Sequence, residues 1–550
     1  MLLIKGIKRA ALAALALCVA APQGASASKF EKIAGLLPQK EFTPPRPPVR
    51  LSTCAGVRGN GQNLFAHFGV LARQVEEYGP VTCAAGGSSG SLTVFILESI
   101  WANPDVHLCS RFLPCRPAVR NARIALMLKS FTGIAESGLF ADAAAVAALL
   151  DGLQQEQIME QMAGPSPAEG VAALIRLLRD LGPLINPEFI QLLLTSPDPV
   201  FHAMDVIEGL QDGVNFVVNN PRVFLRTSVV DFNQFAELIG VYGSFYASDG
   251  PANSKGVARW LRACAMPSRG KTWAELSTLP GVGNRTCGET FGALFDQYRR
   301  REARFGGATR IDDPVGKFLP VFGVTGVITG ASVQTWQDAR DAWIAATPIP
   351  FEPDFSDIGV GYWGDADELK TIEENLPRLF SDLGSMRFVP LGQAKWREVL
   401  ASSPAEPGFA PGIPLPVGAI SVGGWADPLR VLPLRALGPR ATIAVNRQDG
   451  VGSFTKDVTR LLNASDAELN ALYSVTDPRS TFSLGLGNAS GVWCTNWDGQ
   501  MGDPNRLFND AYTSPLITDF FRFLFPRFGY PNVGPDFVID GCNPATHASM

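Results

Sequence analysis

Histidine is scarce in this sequence, with only four among 550 residues. Chemistry that depends on several histidines, such as histidine-rich metal sites, therefore has few residues to draw on. Charged residues make up only 18%, and 47 Lys and Arg residues face 52 Asp and Glu residues, which argues against a nucleic-acid partner. The nine cysteines include no C-x-x-C pair of the kind that binds zinc. We expect no metal and no organic cofactor.

The first 27 residues have the pattern of a secretory signal peptide. Three basic residues begin the segment, residues 10–21 are apolar but too short to span a bilayer, and Ala25-Ser26-Ala27 supplies a cleavage site. Cleavage after Ala27 removes three positive charges and one cysteine, which takes the net charge from −5 to −8 and leaves eight cysteines. We expect an exported protein, periplasmic or secreted, in which disulfides can form; association with an outer membrane is compatible with this.

The eight cysteines that remain suggest pairs by their positions along the chain. The candidate pairs are Cys109 with Cys115, Cys264 with Cys287, Cys494 with Cys542, and Cys54 with Cys83. The last two cysteines lie in adjacent strand-like segments, so they form either a disulfide or two buried thiols.

The order of apolar segments after residue 48 predicts an α/β fold. A strand at 49–54, a helix at 64–78, a strand at 81–85 and a helix at 92–101 follow one another, with glycine-rich turns between them. This order opens a mostly parallel sheet. Further strand-like segments are expected at 318–327, 419–422 and 441–445, and further helices at 292–304 and 368–384. His67 falls on the first helix and is expected to pack there rather than to act in catalysis.

A long segment rich in alanine and leucine interrupts the alternation of strands and helices. It reads as a mixed, mainly helical insertion inside the α/β domain. The predicted organisation is a signal peptide (1–27), a Pro-rich lead-in (28–48), an α/β catalytic domain (49–104 and 315–450), the insertion (105–314) and a C-terminal extension (451–550).

Two glycine-rich turns carry the candidate chemistry. Gly86-Gly87-Ser88-Ser89-Gly90 matches G-x-S-x-G, the strand-to-helix turn that exposes a nucleophilic serine beside the positive end of a helix dipole. Upstream, Gly56-Val57-Arg58-Gly59 also joins a predicted strand to a helix, so its backbone amides are candidates for an oxyanion hole, to which Arg58 would add charge. This turn lacks the spacing of a dinucleotide-binding loop, and no Walker lysine follows it.

Together these motifs resemble those of the bacterial, exported patatin-like phospholipases, in which a G-G-G-x-R-G loop precedes a strand that carries G-x-S-x-G. Three later segments are similar to further motifs of the family: 324–330 to T-D-x-x-T-G, 401–409 to A-S-S-A-x-P, and 422–424 to D-G-G. The resemblance covers residues 49–103 and 315–447. It implies a three-layer α/β/α fold with a mostly parallel central sheet. It also implies serine-dependent hydrolysis of a phospholipid or another lipid ester, with peripheral membrane contact.

The sequence departs from the family at the catalytic acid. In the family, the D-G-G aspartate pairs with the serine in a dyad that needs no histidine, but position 422 is valine. Asp427 lies five residues further along the same loop and is the candidate base for Ser88. His547 with Asp540 would instead complete a Ser–Asp–His arrangement. If neither group serves, the chain is a catalytically impaired relative that binds a lipid or a partner protein.

Overall fold

The computed structural model describes sixteen stretches of the chain. They are residues 42–57, 59, 64–110, 113–135, 231–247, 254–305, 310–330, 358–379, 387–405, 412–421, 423, 431–439, 441–446, 482–485, 504–513 and 538–539. The chain divides into two units, residues 1–43 and 44–550, and the elements below belong to the second. The predicted signal peptide lies outside the described residues.

Ten of the described strands form one mixed sheet. In chain order the strands are β1 (Thr53–Val57), β2 (Val81–Gly87), β3 (Leu108–Ser110), β4 (Leu113–Pro114), β5 (Val321–Ile328), β6 (Ile358–Trp363), β7 (Arg387–Gly392), β8 (Ile413–Pro414), β9 (Ile420–Ser421), β10 (Ala441–Asn446), β11 (Phe482–Gly485) and β12 (Val538–Ile539). The sheet runs β12-β11-β10-β1-β2-β5-β6-β7, with β8 and β9 added beside β5, while β3 and β4 form a separate hairpin. Every pair from β12 to β5 is parallel, and β5 with β6 is antiparallel. The α/β class is therefore confirmed, with a mostly parallel sheet.

Twelve α-helices are described between and around these strands. They are α1 (Leu64–Tyr78), α2 (Ser89–Ala102), α3 (Pro104–His107), α4 (Pro117–Ile134), α5 (Phe232–Ala247), α6 (Ser254–Cys264), α7 (Trp273–Ser277), α8 (Cys287–Phe305), α9 (Ala366–Leu379), α10 (Trp396–Ser402), α11 (Val431–Ala436) and α12 (Pro504–Thr513). Local signals set several of their ends. Asn103 caps α3 by accepting a hydrogen bond from the amide of Asp105 at 2.8 Å, and Thr272 with Glu275 forms a capping box on α7.

The core is centred on β2, β5 and α2. All residues of β2 and of β5 are buried, as expected for strands that are covered on both faces. Helix α2 is apolar around most of its circumference and is buried from Ser89 to Trp101, in keeping with a helix enclosed by protein. The site described below is therefore formed by the most deeply buried elements of the fold.

Residues from the predicted insertion and the predicted extension pack against the same core. Helix α5 packs so closely on α2 that a side chain at Gly243 would overlap the ring of Phe95. Helix α1 packs closely on α12, since a Cβ atom at Gly69 would lie 2.6 Å from the carbonyl oxygen of Phe508. Strands β11 and β12 continue the sheet beyond β10. The domain boundaries themselves stay a prediction.

Three of the four suggested cysteine pairs are at disulfide distance. Their Cα atoms are 4.5 Å apart in Cys54–Cys83, 4.7 Å apart in Cys109–Cys115 and 6.0 Å apart in Cys264–Cys287. The fourth pair, Cys494 and Cys542, lies outside the described residues. Cys54 and Cys83 are register partners on β1 and β2, and both are fully buried. This disulfide therefore joins the strand that leads into the glycine loop to the strand that leads into the serine turn.

A buried carboxylate fixes the far end of α2. Glu98 accepts hydrogen bonds from Arg310 Nη2 at 2.7 Å and from Trp396 Nε1 at 2.6 Å through one oxygen, and from the amide of Phe318 at 2.8 Å through the other. Glu98, Arg310 and Trp396 are all essentially inaccessible to solvent. Trp396 begins α10 and Phe318 lies just before β5. Glu98 therefore fixes the positions of α2, α10 and the start of β5 relative to one another.

Candidate active site

Ser88 occupies the turn between β2 and α2 in a strained backbone conformation. Its φ of 49° and ψ of −127° are sterically disfavoured for a residue with a side chain, and it is the only non-glycine residue with positive φ in the described part of the chain. Such a conformation costs about 1–3 kcal/mol and persists only where the surrounding structure enforces it. Ser88 is half-buried, whereas both of its neighbours are buried.

The glycines of the motif are required by the tightness of this turn. A Cβ atom added at Gly86 would overlap the carbonyl group of Gly90, so the strand and the first turn of the helix can approach only because residue 86 has no side chain. The G-x-S-x-G pattern thus corresponds to a close backbone crossing, as a strand-to-helix elbow requires.

Both backbone polar groups of Ser88 are hydrogen-bonded. Its amide donates to Ser403 Oγ at 2.8 Å, and its carbonyl accepts from the amide and the hydroxyl of Ser91 at 3.0 and 2.6 Å. Ser403 follows α10 and is 315 residues away in sequence. The turn is therefore held by its own helix on one side and by a distant element on the other.

Strand β9 reaches the serine turn along β5. One edge of β5 pairs with β6, so β2 and β9 share the other edge: β2 pairs as far as Val324, and β9 pairs at Val327 and Ile328. Ser421 of β9 therefore lies beyond the carboxyl end of β2. Ser88 directly follows that same end of β2.

A cluster of buried hydroxyl groups joins three of the segments that resemble family motifs. Thr325 Oγ1 lies 2.8 Å from Ser421 Oγ and 3.0 Å from the carbonyl oxygen of Gly423. Ser421 Oγ donates to the carbonyl oxygen of Ser402 at 3.1 Å. The hydroxyl of Ser403 donates to the carbonyl oxygen of Val324 at 2.6 Å. Sequence reasoning gave these hydroxyls no role. The motifs contained them, but only the folded chain brings together residues that are 19 to 98 positions apart in sequence.

The predicted oxyanion loop begins beside the serine turn. The parallel register pairs Gly56 with Ala85 and Val57 with Gly86, so the carboxyl ends of β1 and β2 meet at one edge of the sheet. Gly56 and Val57 are themselves part of the strand, paired with β2 and with β10. Gly59 follows and is half-buried, while Arg58 lies outside the described residues.

The candidate bases lie outside the described residues. This applies to Asp427 and to Asp540 and His547, and position 422 lies outside them too, so the role of Asp427 stays a prediction. Gly423 is described and has a φ of 67°, a left-handed conformation that favours glycine. The glycine of the D-G-G-like segment is thus placed beside Thr325, next to the position at which the family carries its aspartate.

His67 is packed inside the protein, as its place on the first helix predicts. It is fully buried, and its Nδ1 lies 3.0 Å from Thr93 Oγ1 on α2. Within the described ranges there is no group of three or more His, Cys, Asp or Glu residues that could hold a metal ion. None of the helices described above is long and apolar enough to cross a membrane.

Comparison of the chain with protein-family models, with curated proteins and with solved structures finds no match. The likeness to patatin-like phospholipases accordingly depends on the sequence motifs alone.

Proposed function

We propose that this protein is a serine-dependent acyl hydrolase of lipid esters, of the patatin-like class, with Ser88 as its nucleophile. The observation that carries the proposal is the strained, positive-φ conformation of Ser88 between a buried strand and a buried helix. Strain of this kind is concentrated at functional sites, and a serine in a G-x-S-x-G elbow is the arrangement in which it serves nucleophilic attack.

In the proposed reaction, Ser88 Oγ attacks the ester carbonyl carbon while its proton passes to the carboxylate of Asp427. The negative charge that develops on the carbonyl oxygen is stabilised by backbone amides of the turn that follows β1, from Val57 at the end of the strand to Gly59, each donor contributing about 3–4 kcal/mol. Collapse of this intermediate expels the alcohol, which takes the proton from Asp427. Water then attacks the acyl-enzyme and releases the fatty acid.

The finer features of the proposal come from the family resemblance. The substrate is a phospholipid or another lipid ester, the fold is the three-layer α/β/α arrangement, and the protein is exported and contacts a membrane peripherally. The segment at 105–314 forms a lid or lipid-facing wall, or else a second packed subdomain. The buried disulfides support export, because such bonds persist in oxidising compartments.

Covalent labelling tests the nucleophile directly. Ser88 Oγ is expected to attack the phosphorus atom of an alkyl fluorophosphonate and to displace fluoride into solution. This leaves one phosphonyl group per chain, which peptide mass spectrometry locates. Ser88→Ala should abolish the labelling. Ser99→Ala is the matched control, because Ser99 is a buried serine on the same helix whose hydroxyl donates to Phe95 O at 2.7 Å. Labelling at another serine would contradict the proposal.

The base is tested by moving the carboxylate. Asp427→Asn is expected to lower kcat by about 10²–10⁴-fold, since a general base typically contributes that much. Adding Val422→Asp to this variant should restore much of the activity, because it recreates the aspartate of the family dyad. Asp249→Asn, at an Asp-Gly pair without the family context, is the control and should leave kcat unchanged. Full activity in Asp427→Asn would remove Asp427 from the mechanism.

The valine at position 422 supports one other function. A relative that lacks the family aspartate and has no replacement base would bind a lipid or a partner protein without hydrolysing an ester. In that case the wild-type chain would bind lipid vesicles but would neither hydrolyse esters nor react with the fluorophosphonate.

A further inference from the structure

We propose that Ser403 is a positioning residue for the nucleophile: its hydroxyl holds the backbone of Ser88 in the strained conformation that presents Oγ to the substrate. This inference rests on the proposed function and assigns a role to a residue outside the nucleophile, the base and the oxyanion loop.

The hydroxyl of Ser403 is fixed by two hydrogen bonds. It accepts from the amide of Ser88 at 2.8 Å and donates to the carbonyl oxygen of Val324 at 2.6 Å. Ser403 is fully buried and its only proton is committed to Val324, so its oxygen can act toward the amide of Ser88 only as an acceptor. The backbone of β5 at Val324 therefore determines where the hydroxyl points, and the hydroxyl determines where the Ser88 amide points.

The elbow depends on this contact because Ser88 is strained. Without the acceptor on Ser403, the amide of Ser88 would lose its partner, and the turn could rotate toward an unstrained backbone conformation. Rotation about φ and ψ moves the side chain with the backbone. A displacement of the nucleophile by about 1 Å is enough to lower a rate by about 10²-fold.

The carboxyl end of α10, which Ser403 follows, also contacts the start of the loop on which the base is expected. The carbonyl of Ser402 accepts from Ser421 Oγ at 3.1 Å, and Ser421 directly precedes position 422. Two consecutive serines thus contact the two halves of the site, one through its side chain and the other through its backbone. The pair sets the position of Ser88 relative to the start of that loop.

Kinetics of Ser403→Ala test the inference. We expect kcat to fall by about 10–100-fold with KM little changed, and the rate of fluorophosphonate labelling to fall by the same factor. Because Ser403 has no ionisable group near neutral pH, the pH profile of kcat should keep its shape. Ser403→Thr retains a hydroxyl and should recover most of the lost rate. Ser99→Ala removes an equally buried hydroxyl from the nucleophile helix and should leave kcat unchanged.

Three results would overturn the assignment. Wild-type kcat and labelling rate in Ser403→Ala would show that the contact has no influence on the nucleophile. An equal loss in Ser403→Ala and Ser99→Ala that matches the loss of folded protein, measured by thermal unfolding, would show a purely structural role. A wild-type protein that neither hydrolyses esters nor reacts with the label would remove the proposed function itself, and the inference with it.

Discussion

Ser88→Ala is expected to lower kcat for a lipid ester by about 10⁴-fold or more, which is the scale of loss found when a catalytic serine is removed from a hydrolase. Without Oγ there is no acyl-enzyme, and only the binding site and the oxyanion donors remain to accelerate attack by water. KM should change little, because the hydroxyl contributes to the transition state rather than to binding of the ester. The measurement is steady-state hydrolysis of a short-chain ester and of phospholipid vesicles.

This variant should fold as the wild type does. Alanine meets the same steric conflict at a φ of 49° as serine does, and the three hydrogen bonds made by the backbone of residue 88 do not involve its side chain. Thermal unfolding is therefore the control and should give a Tm close to that of the wild type. Hydrolysis by Ser88→Ala within tenfold of the wild-type rate would exclude Ser88 as the nucleophile.

Glu98→Ala is expected to lower the free energy of unfolding by about 3–5 kcal/mol, the loss that follows when one partner of a buried ion pair is removed. The substitution leaves Arg310 Nη2 and the indole N–H of Trp396 buried without their acceptor, and the guanidinium keeps only its bond from Nη1 to Asp313. It also frees the amide of Phe318 just before β5. Denaturant-induced unfolding of the wild type and of the variant provides the comparison.

Glu77 provides the matched control for Glu98. It also pairs with an arginine, Arg73, one turn away on α1, but its side chain is 27% exposed. Exposed pairs of this spacing contribute about 0.3–0.5 kcal/mol, so Glu77→Ala should have little effect on unfolding. Equal effects of the two substitutions would mean that Glu98 does not organise the core.

Elements with a regular apolar pattern could be predicted from the sequence, and those without one could not. The helix expected at 64–78 is α1 with the same bounds, because its apolar residues recur at helical spacing. The strand expected at 49–54 is instead β1, Thr53–Val57, preceded by a 3-10 turn. Ala55 and Gly56 resemble a loop in sequence but pair on both sides inside the sheet. Strand β6 was not predicted, because glycines occupy the positions at which polar residues would alternate with apolar ones.

The candidate site divides in the same way. The serine turn could be predicted because all its requirements lie within five consecutive residues, and the chain folds there as the glycines demand. The contact between Ser88 and Ser403 could not, because it depends on the parallel register of β2 with β5 and on the packing of α10. Sequence spacing contains no information on such a contact. The base stays a prediction, since Asp427 lies outside the described residues.

The disulfide between Cys54 and Cys83 limits the order in which this protein can mature. Both sulfur atoms are enclosed once β1 and β2 lie side by side in the core, so neither an oxidant nor an isomerase can reach them in the folded state. The bond must therefore form while the first two strands are still accessible, ahead of the covering helices. A chain that completed its folding in a reducing compartment would keep two enclosed thiols there, and later transfer to an oxidising one would not convert them without unfolding.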